Sequence, residues 1–269
     1  MLGSDRLDRP VERTPAAGRV PRIPDLVAHR GYAARFPENT IPALEAAVAA
    51  GARFVEVDVQ LSSDGAPVLF HDRTLERMCG TGGAVHERTL GDLRALSCAE
   101  RGKFGERFAA VRIATLEELA ACLRAHPDVF GFVEIKRAAI ERFGAERVLE
   151  TVTPLLQPLS ARIALISFSL PFLEVARARS SFALGAVFDT WKEREAADAR
   201  ALAAEYVLCD ADGLPEEGPL ALAESKLAVY EVADPARALA LARRGVDLVE
   251  TFEIGDMTAA LRVPGGATR

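Results

Sequence analysis

The regular alternation of short apolar runs with longer alanine- and leucine-rich segments constrains the fold of this chain most strongly. Such alternation is typical of repeated strand-helix units built around a parallel sheet. Nine short runs, many of them rich in β-branched residues, are candidate strands. They are Leu26–Arg30, Phe54–Gln60, Val68–His71, Phe130–Lys136, Ile163–Phe168, Leu184–Phe188, Tyr206–Cys209, Leu227–Val232 and Val246–Thr251.

One of these candidates cannot run parallel to the strand before it. Only residues 61–67 separate Val68–His71 from the preceding run, whereas a parallel crossover needs about a dozen residues or more. Asp64-Gly65 lies at the centre of this short connection and favours a hairpin. We therefore expect Val68–His71 to pair antiparallel with the second strand. Eight parallel strands remain, the number that closes a (β/α)8 or TIM barrel of the α/β class.

Helix-forming segments lie between most of the strands. The clearest are Pro42–Ala50, Thr115–Ala125, Ala196–Glu205 and Pro235–Arg244. Between residues 72 and 114 only a helical piece at Leu90–Leu96 is recognisable, and we interpret residues 72–114 as a small insertion after the hairpin of the second strand. The length of 269 residues suits a single barrel, since such barrels commonly have about 250 residues. We expect the barrel to span residues 25–262, between flexible tails at 1–24 and 263–269.

Composition excludes several classes of partner. Lys and Arg total 33 against 39 Asp and Glu, a net charge of −6, so the chain lacks the general basic surface that nucleic acid binding requires. Residues 1–24 contain no apolar stretch long enough for a signal peptide or a membrane helix. We therefore expect a cytoplasmic protein without stable membrane insertion. The four cysteines fit neither a paired zinc knuckle nor a disulfide framework, and we interpret them as buried or idle thiols: Cys79, Cys98, Cys122 and Cys209.

Acidic residues alternate with valines in the second candidate strand. Residues two apart in a strand share a face, so Glu56 and Asp58 point one way and the valines the other. Two carboxylates aimed into a barrel mouth repel each other unless a cation or an added proton relieves them. Mg²⁺ and Ca²⁺ take such oxygen ligands. The alternative is that both side chains face solvent.

A third carboxylate and a lysine share one face of the fourth candidate strand. In Val133-Glu134-Ile135-Lys136 the polar and apolar residues again alternate, so Glu134 and Lys136 lie on the same side. An ordinary ion pair at a strand end is the alternative interpretation. Because the carboxyl ends of barrel strands hold the active site in such folds, we expect these groups to join the first two carboxylates.

Two of the four histidines lie at strand ends that face the same rim. His29 ends the first strand and His71 ends the hairpin partner, whereas His86 and His126 lie in the insertion and near a helix end. An imidazole can accept or donate a proton near neutral pH, so two of them beside a reacting group can act as base and acid.

Together these motifs resemble a known enzyme family. In chain order they are Ala28-His29-Arg30-Gly31, Pro37-Glu38-Asn39-Thr40, Glu56-Val57-Asp58-Val59, Asp64-Gly65, His71-Asp72 and Glu134-Ile135-Lys136. This ordered set resembles the glycerophosphodiester phosphodiesterase family, from about residue 26 to residue 251. The resemblance implies a TIM barrel with a small inserted domain after the second histidine. It also implies metal-dependent hydrolysis of a small-molecule glycerophosphodiester to glycerol 3-phosphate and an alcohol.

Carried over residue by residue, the resemblance implies a metal site and an acid-base pair. The divalent ion, Mg²⁺ or Ca²⁺, would be held by Glu56, Asp58 and Glu134. His29 and His71 would transfer protons during the reaction. The sequence does not indicate which of them is the acid.

The same comparison implies how the phosphate is bound. Arg30 and Lys136 match the family residues that bind it, which is reasonable because a phosphodiester is anionic. Arginine suits a planar, bidentate contact, and lysine supplies a compact charge. We expect Glu38 and Asn39 to hold the loop after the first strand in shape.

Two stretches depart from the family pattern. Tyr230-Glu231-Val232-Ala233 stands where many members have Trp-Thr-Val-Asn, and Glu250-Thr251-Phe252-Glu253 stands where Thr-Asp followed by Pro is usual. Both lie at the rim, outside the metal and histidine set, so they bear on the leaving group. Glu231, with Glu250 or Glu253, would favour a cationic head such as ethanolamine or choline.

Two other functions remain as alternatives at this stage. A phospholipase D-type relative that acts on lysophospholipids would need an apolar rim, for which the candidates are Phe168, Trp191, Tyr230 and Phe252. A barrel that binds phosphodiesters without turnover is the other alternative. The presence of all seven candidate groups argues against it, and the sequence does not indicate the oligomeric state.

Overall fold

A computed structural model describes residues 23–262 and contains the predicted barrel. Most of the two predicted tails, residues 1–22 and 263–269, lies outside the described residues. The strands are β1 (Asp25–Ala28), β2 (Phe54–Leu61), β3 (Pro67–Leu69), β4 (Phe130–Ile135), β5 (Ile163–Ser167), β6 (Ala183–Phe188), β7 (Tyr206–Asp210), β8 (Lys226–Tyr230) and β9 (Leu248–Thr251).

Eight of these strands form a closed parallel barrel. Neighbouring strands are hydrogen-bonded in the order β1, β9, β8, β7, β6, β5, β4, β2, and β1 also pairs with β2, which closes the ring. Ala28 at the end of β1 lies opposite Val55 on one side and Thr251 on the other. The (β/α)8 architecture expected from the strand count is therefore confirmed.

The short connection after β2 forms the predicted hairpin. β3 runs antiparallel to β2, with Leu69 opposite Val59, and it lies outside the ring of eight. Gly65 has φ +84°, a left-handed conformation that glycine adopts without a steric penalty. β1 ends two residues before its predicted end, because Arg30 turns the chain with φ +55°. The histidine and arginine that follow β1 consequently lie in a loop rather than in the strand.

Helices surround the barrel and lie between most consecutive strands, but the connection from β7 to β8 contains none. They are α1 (Ile41–Ala49), α2 (Glu76–Cys79), α3 (Leu90–Ala95), α4 (Arg101–Phe104), α5 (Leu116–Ala125), α6 (Arg137–Phe143), α7 (Ala145–Leu156), α8 (Leu170–Arg179), α9 (Ala197–Leu202), α10 (Pro235–Arg244) and α11 (Ile254–Arg262). The Thr40 side chain caps α1, and Thr115 with Glu118 forms a capping box at α5. Within residues 23–262, no helix is long and apolar enough to cross a bilayer.

Residues 72–114 hold three short helices, α2 to α4, that pack on the barrel beside β3. Their buried residues form a small core of their own with Val68 and Phe70 of the hairpin. Four further members of this core are Leu75, Met78, Leu93 and Ile113. The segment after the second histidine therefore stands on the rim of the barrel, next to the carboxyl ends of β2 and β3.

The interior of the barrel is apolar at its lower end and polar at its upper end. Phe54, Phe130, Phe132 and Tyr206 contact one another near the amino-terminal ends of their strands, with ring centroids 4.9–6.3 Å apart in these pairs. The β2 side chains alternate: the three valines pack outward against the helices, whereas Glu56, Asp58 and Gln60 are buried on the inward side. Any water that reaches these polar groups must therefore enter from the upper rim.

Candidate active site

The predicted site residues converge at the carboxyl ends of the barrel strands. His29 and Arg30 follow β1, Glu56 and Asp58 lie on β2, His71 follows β3, Glu134 lies on β4 and Lys136 follows it. All of them except Asp58 line one pocket. Asp58 lies against the arginine and the lysine of that pocket and is 1% exposed. Sequence positions up to 107 residues apart thus meet at one rim.

Three buried carboxylates form a group that could hold a metal ion. Glu56, Asp58 and Glu134 each offer one oxygen, and these oxygens lie within 4.8 Å of one another. The Lys136 ammonium lies 3.1 Å from Asp58 Oδ1 and 2.8 Å from Glu134 Oε1. Arg30 Nε lies 3.2 Å from Asp58 Oδ2. Two cations therefore balance part of the charge of the three carboxylates.

The three carboxylates differ in their pKa values. Burial raises the pKa of Glu56 well above its ordinary value, and the nearby carboxylates raise it further. Burial also raises the pKa of Glu134. Burial acts in the same direction on Asp58, but Lys136 and Arg30 outweigh it and hold the pKa of that carboxyl below its usual range.

The chemistry of this group fits a divalent cation. Glu56 Oε1 is buried and has no hydrogen-bond partner among the described residues, while Oε2 accepts a hydrogen bond from the Arg30 backbone amide at 3.1 Å. An unpaired buried carboxylate oxygen is costly unless a proton or a cation satisfies it. Mg²⁺ and Ca²⁺ prefer all-oxygen ligand sets of this kind.

The loop after β1 is held in place by Asn39. Its side-chain amide donates to Asp58 Oδ2 at 2.8 Å, and its side-chain oxygen accepts from the Asp58 backbone amide at 3.0 Å. Asn39 has φ +56°, like Arg30 with φ +55°, a region that non-glycine residues rarely occupy. These contacts agree with the loop-holding role expected for Asn39.

His29 lies deep in the pocket between acidic and aromatic side chains. Its Nε2 is 3.6 Å from Glu56 Oε2, and its ring stacks on Phe252 with centroids 4.7 Å apart. Its Nδ1 lies 3.5 Å from Glu231 Oε1. Burial lowers the pKa of His29 well below its ordinary value, and the adjacent Arg30 lowers it further. The neutral imidazole is therefore favoured at neutral pH.

His71 lies at the mouth of the pocket, with a carboxylate behind it. The Asp72 side chain pairs with His71 Nδ1 at 2.8 Å, which leaves Nε2 free of that contact. The Gln60 side chain donates to the backbone carbonyl oxygens of residues 70, 71 and 72 at 2.7–3.2 Å. The third inward residue of β2 therefore positions the segment that carries this histidine.

Arg77 is a site residue that the sequence analysis missed. From α2 of the insertion, its guanidinium donates to Asp72 at 2.7 and 2.9 Å and to Glu38 at 2.6 Å. Glu38 also accepts from Arg30 at 3.2 Å, and Glu100 accepts from Arg77 at 3.3 Å. Arg77 thus connects the aspartate behind His71 with the glutamate behind Arg30.

The two stretches that differ from the family pattern, residues 230–233 and 250–253, place two glutamates in the pocket. Glu231 lies at its rim with 46% of its side chain exposed, and Glu250 is 2% exposed. Burial raises the pKa of Glu250 to about 8, helped by the Glu134 carboxylate. Glu253 is exposed and does not line the pocket. Glu231 and Glu250 therefore carry the acidic character expected from this stretch.

The opposite wall of the pocket is apolar. It is formed by Ile166, Phe168, Val187, Leu208 and Tyr230. Of the four aromatic residues considered for an apolar rim, Phe168 and Tyr230 line the pocket, and Phe252 stacks on the histidine after β1. Trp191 does not line it and packs against Arg194 instead.

Comparison with known sequences agrees with this geometry. The sequence pattern described as "Glycerophosphoryl diester phosphodiesterase family" matches residues 29–251. A glycerophosphodiester phosphodiesterase from Caldanaerobacter subterraneus is 39% identical over 124 residues, which are 46% of this chain and 50% of that protein. Glycerophosphodiester phosphodiesterase 1 of Mus musculus is 35% identical over 125 residues, which are 45% of this chain and 38% of that protein. The matches thus span half or less of these curated relatives.

Solved structures have the same fold. A phosphodiesterase from Oleispira antarctica, solved with its product sn-glycerol-3-phosphate, matches with a TM-score of 0.77 at 24% identity, over 90% of this chain and 98% of that one. A glycerophosphodiester phosphodiesterase from Thermotoga maritima matches with a TM-score of 0.66 at 20% identity, over 88% of this chain and 98% of that one. At these identities the structural likeness establishes the barrel fold alone.

Proposed function

The chain belongs to the glycerophosphoryl diester phosphodiesterase family, and we propose that it hydrolyses glycerophosphodiesters to glycerol 3-phosphate and an alcohol. The observation that carries this proposal is the grouping of three carboxylates, two cations and two histidines at one barrel rim. An anionic diester needs positive charge to bind it and proton transfer to break its bond. This rim offers both.

Glu56, Asp58 and Glu134 would hold the metal ion, with Mg²⁺ or Ca²⁺ as the candidates. When bound, such an ion supplies positive charge to the phosphoryl oxygens as charge develops on them. Arg30 and Lys136 flank the same carboxylates at 3.1–3.2 Å from Asp58, so they bind a phosphate beside that group. Phosphate binding at this place brings the scissile bond between the two histidines.

We assign the two histidines different roles. His29 is buried, and its lowered pKa keeps it neutral near pH 7, so it takes the proton of the attacking oxygen. His71 has the Asp72 carboxylate at Nδ1, an arrangement that fixes the orientation of the imidazole and leaves Nε2 to face the substrate. His71 therefore gives a proton to the leaving alcohol from the mouth of the pocket.

Arg77 acts as a positioning residue in this scheme. It contacts neither histidine directly, but it holds Asp72 and Glu38 through a forked guanidinium. Its contacts order the insertion against the rim, so that the proton donor and the phosphate-binding Arg30 face the same substrate.

The rim favours a polar or cationic leaving group, and the apolar wall supports a second candidate substrate. Glu231 would attract the ammonium of ethanolamine or choline. A lysophospholipid, as in a lysophospholipase D reaction, is favoured by one observation: Phe168 and Tyr230 line the pocket beside apolar barrel residues.

A cytoplasmic location remains a prediction, as does the role of the barrel as a catalyst rather than a phosphodiester-binding scaffold.

We expect turnover to require a divalent cation. The test is a panel of glycerophosphodiesters and lysophospholipids assayed with Mg²⁺, with Ca²⁺ and after chelation, with glycerol 3-phosphate and free alcohol measured separately. Chelation should abolish the release of both products, and Glu56→Gln should weaken metal binding because it removes a charged ligand. Glu253→Gln is a matched control, since Glu253 is exposed and does not line the pocket. Full activity in the chelated protein would refute the metal assignment.

We expect kcat/KM to have a bell-shaped pH dependence. A base loses function as pH falls through its pKa, and burial lowers the pKa of His29, so the acid limb should lie below the ordinary histidine value of about 6.5. His29→Ala and His71→Ala should each lower kcat by about 10²- to 10⁴-fold. A substrate with a very acidic leaving alcohol should rescue His71→Ala but not His29→Ala. An equal loss in His86→Ala would contradict the selection of these two histidines.

We expect Arg77→Met to lower kcat by about 10- to 100-fold, the range found for groups that orient metal ligands. Because Asp72 would lose its guanidinium partner, the alkaline limb of the pH profile should also move. Arg77→Lys should restore part of the rate, since lysine keeps the positive charge but lacks the planar, bidentate guanidinium group. Arg101→Met is the control, because Arg101 lies in the same insertion and pairs with exposed Glu106. An unchanged pH profile in Arg77→Met would leave only a structural role.

We expect Glu231→Gln to alter substrate preference. A half-exposed carboxylate favours a cationic head by about 1 kcal/mol, or about fivefold. The variant should therefore lower kcat/KM for glycerophosphoethanolamine more than for glycerophosphoglycerol, whose head group is uncharged, and added salt should narrow the difference. Equal losses with both substrates would instead assign Glu231 to the support of His29, which it approaches at 3.5 Å.

A further inference from the structure

A second group of metal-ligating side chains lies outside the barrel, between α1 and α5. It consists of Glu45 on α1, Cys122 on α5 and His126 directly after α5. One ligand atom from each residue lies within 4.8 Å of the other two. We propose that this group binds Zn²⁺ or a divalent cation of similar chemistry, and so links the two helices.

The types of donor atom point to zinc rather than to magnesium or calcium. A thiolate, an imidazole nitrogen and a carboxylate oxygen are the ligands that proteins use for zinc. Mg²⁺ and Ca²⁺ prefer ligand sets made of oxygen alone, as in the carboxylate group of the pocket. The carboxylate group of the pocket and this outer group therefore select different metals, and excess Mg²⁺ does not compete effectively for the outer one.

The three donor groups lie close enough together for side-chain movements to bring them to one tetrahedral ion. With ligand distances of about 2.0–2.3 Å, two atoms bound to one zinc ion lie about 3.3–3.6 Å apart. Cys122 Sγ lies 3.4 Å from Glu45 Oε1, and His126 Nε2 lies 2.8 Å from Glu45 Oε2. Small side-chain movements therefore bring the three donors to one ion, with water as the fourth ligand.

The backbone around this group is already fixed. Arg162 donates to the carbonyl oxygens of Leu123, His126 and Val129 at 2.8–3.1 Å, so the turn that carries His126 cannot move freely. The group also lies at the carboxyl end of α5, where the helix dipole favours positive charge. His126 and Glu45 are partly exposed, with 30% and 48% of their side chains accessible, which gives an ion a path from solvent.

This site is separate from the pocket. α5 runs opposite to the strands, so its carboxyl end lies at the amino-terminal side of the barrel, away from the rim that holds the candidate active site. Occupancy should therefore stabilise the fold with little direct effect on turnover. The sequence analysis did not foresee the contact between His126 and Glu45, because it placed His126 only near a helix end.

The test is titration of the full chain with Zn²⁺ and, as a spectroscopic probe, with Cd²⁺, both in excess Mg²⁺ to occupy the pocket. We expect one equivalent to bind, a thiolate-to-Cd²⁺ charge-transfer band to appear, and Zn²⁺ to raise the melting temperature. Cys122→Ser should abolish the band. His126→Gln should weaken binding at least about tenfold, the loss that even a partner of a metal ligand causes.

Cys79→Ser is the matched control, because Cys79 and Cys98 are neighbouring thiols outside this group. It should leave the band and the affinity unchanged. Retained phosphodiesterase activity in Cys122→Ser and His126→Gln would show that both variants fold. The proposal is wrong if the wild-type protein gives no band, or if the band persists in Cys122→Ser. It is equally wrong if the zinc affinity of His126→Gln equals that of the wild type.

Discussion

The burial of carboxylates above an apolar barrel floor is the constraint on which the rest of the site depends. Phe54, Phe130 and Phe132 fill the lower interior, so Glu56 and Asp58 cannot be hydrated from below. Buried charges persist only when they are paired, protonated or coordinated. Three ionised carboxylates and two cations leave one net negative charge, whereas a bound divalent ion makes the sum positive. The same burial thus favours a bound cation and, under the proposed function, the binding of an anionic diester beside it.

Residues with strained backbone lie in the loop after β1 and in the insertion, and their contacts hold the charged side chains of the site in place. Four described non-glycine residues have φ values of +47° to +56°, a conformation that costs about 1–3 kcal/mol each. Ala203 ends α9, whereas Arg30, Asn39 and Glu100 lie at or beside the site. Asn39 bonds Asp58 twice, and Arg77 bonds Glu100 and, through Glu38, reaches Arg30. Such strain persists only where surrounding contacts hold it. Because Arg77 of the insertion supplies some of these contacts, the insertion is a structural part of the site.

The sequence predicts the barrel and the carboxylate group well because both follow from local rules. Strand spacing excluded a parallel β3, and the two-residue period of β2 placed Glu56 and Asp58 on one face. Arg77 could not be predicted in this way, since its contacts join α2 to the loop after β1 across a long sequence separation. Gln60 carried a usable signal, because it continues the inward face of β2. No sequence signal identified Glu45 as the partner of His126, since Glu45 lies on a different helix, α1.

The pocket has a charged part and an apolar part, which come from different strands. Strands β1, β2 and β4 with the hairpin supply the charged groups, whereas β5, β6 and β7 contribute Ile166, Val187 and Leu208 to the opposite wall. The apolar wall and the glutamates of β8 and β9 contact whatever lies beyond the phosphate. The two parts remain electrostatically linked, since Glu134 helps to raise the pKa of Glu250 and Glu231 Oε1 lies 3.5 Å from His29 Nδ1. Under the proposed function, substitutions in the apolar wall change the contacts of the group beyond the phosphate, whereas substitutions of Glu231 or Glu250 also change the charges that act on His29 and Glu134.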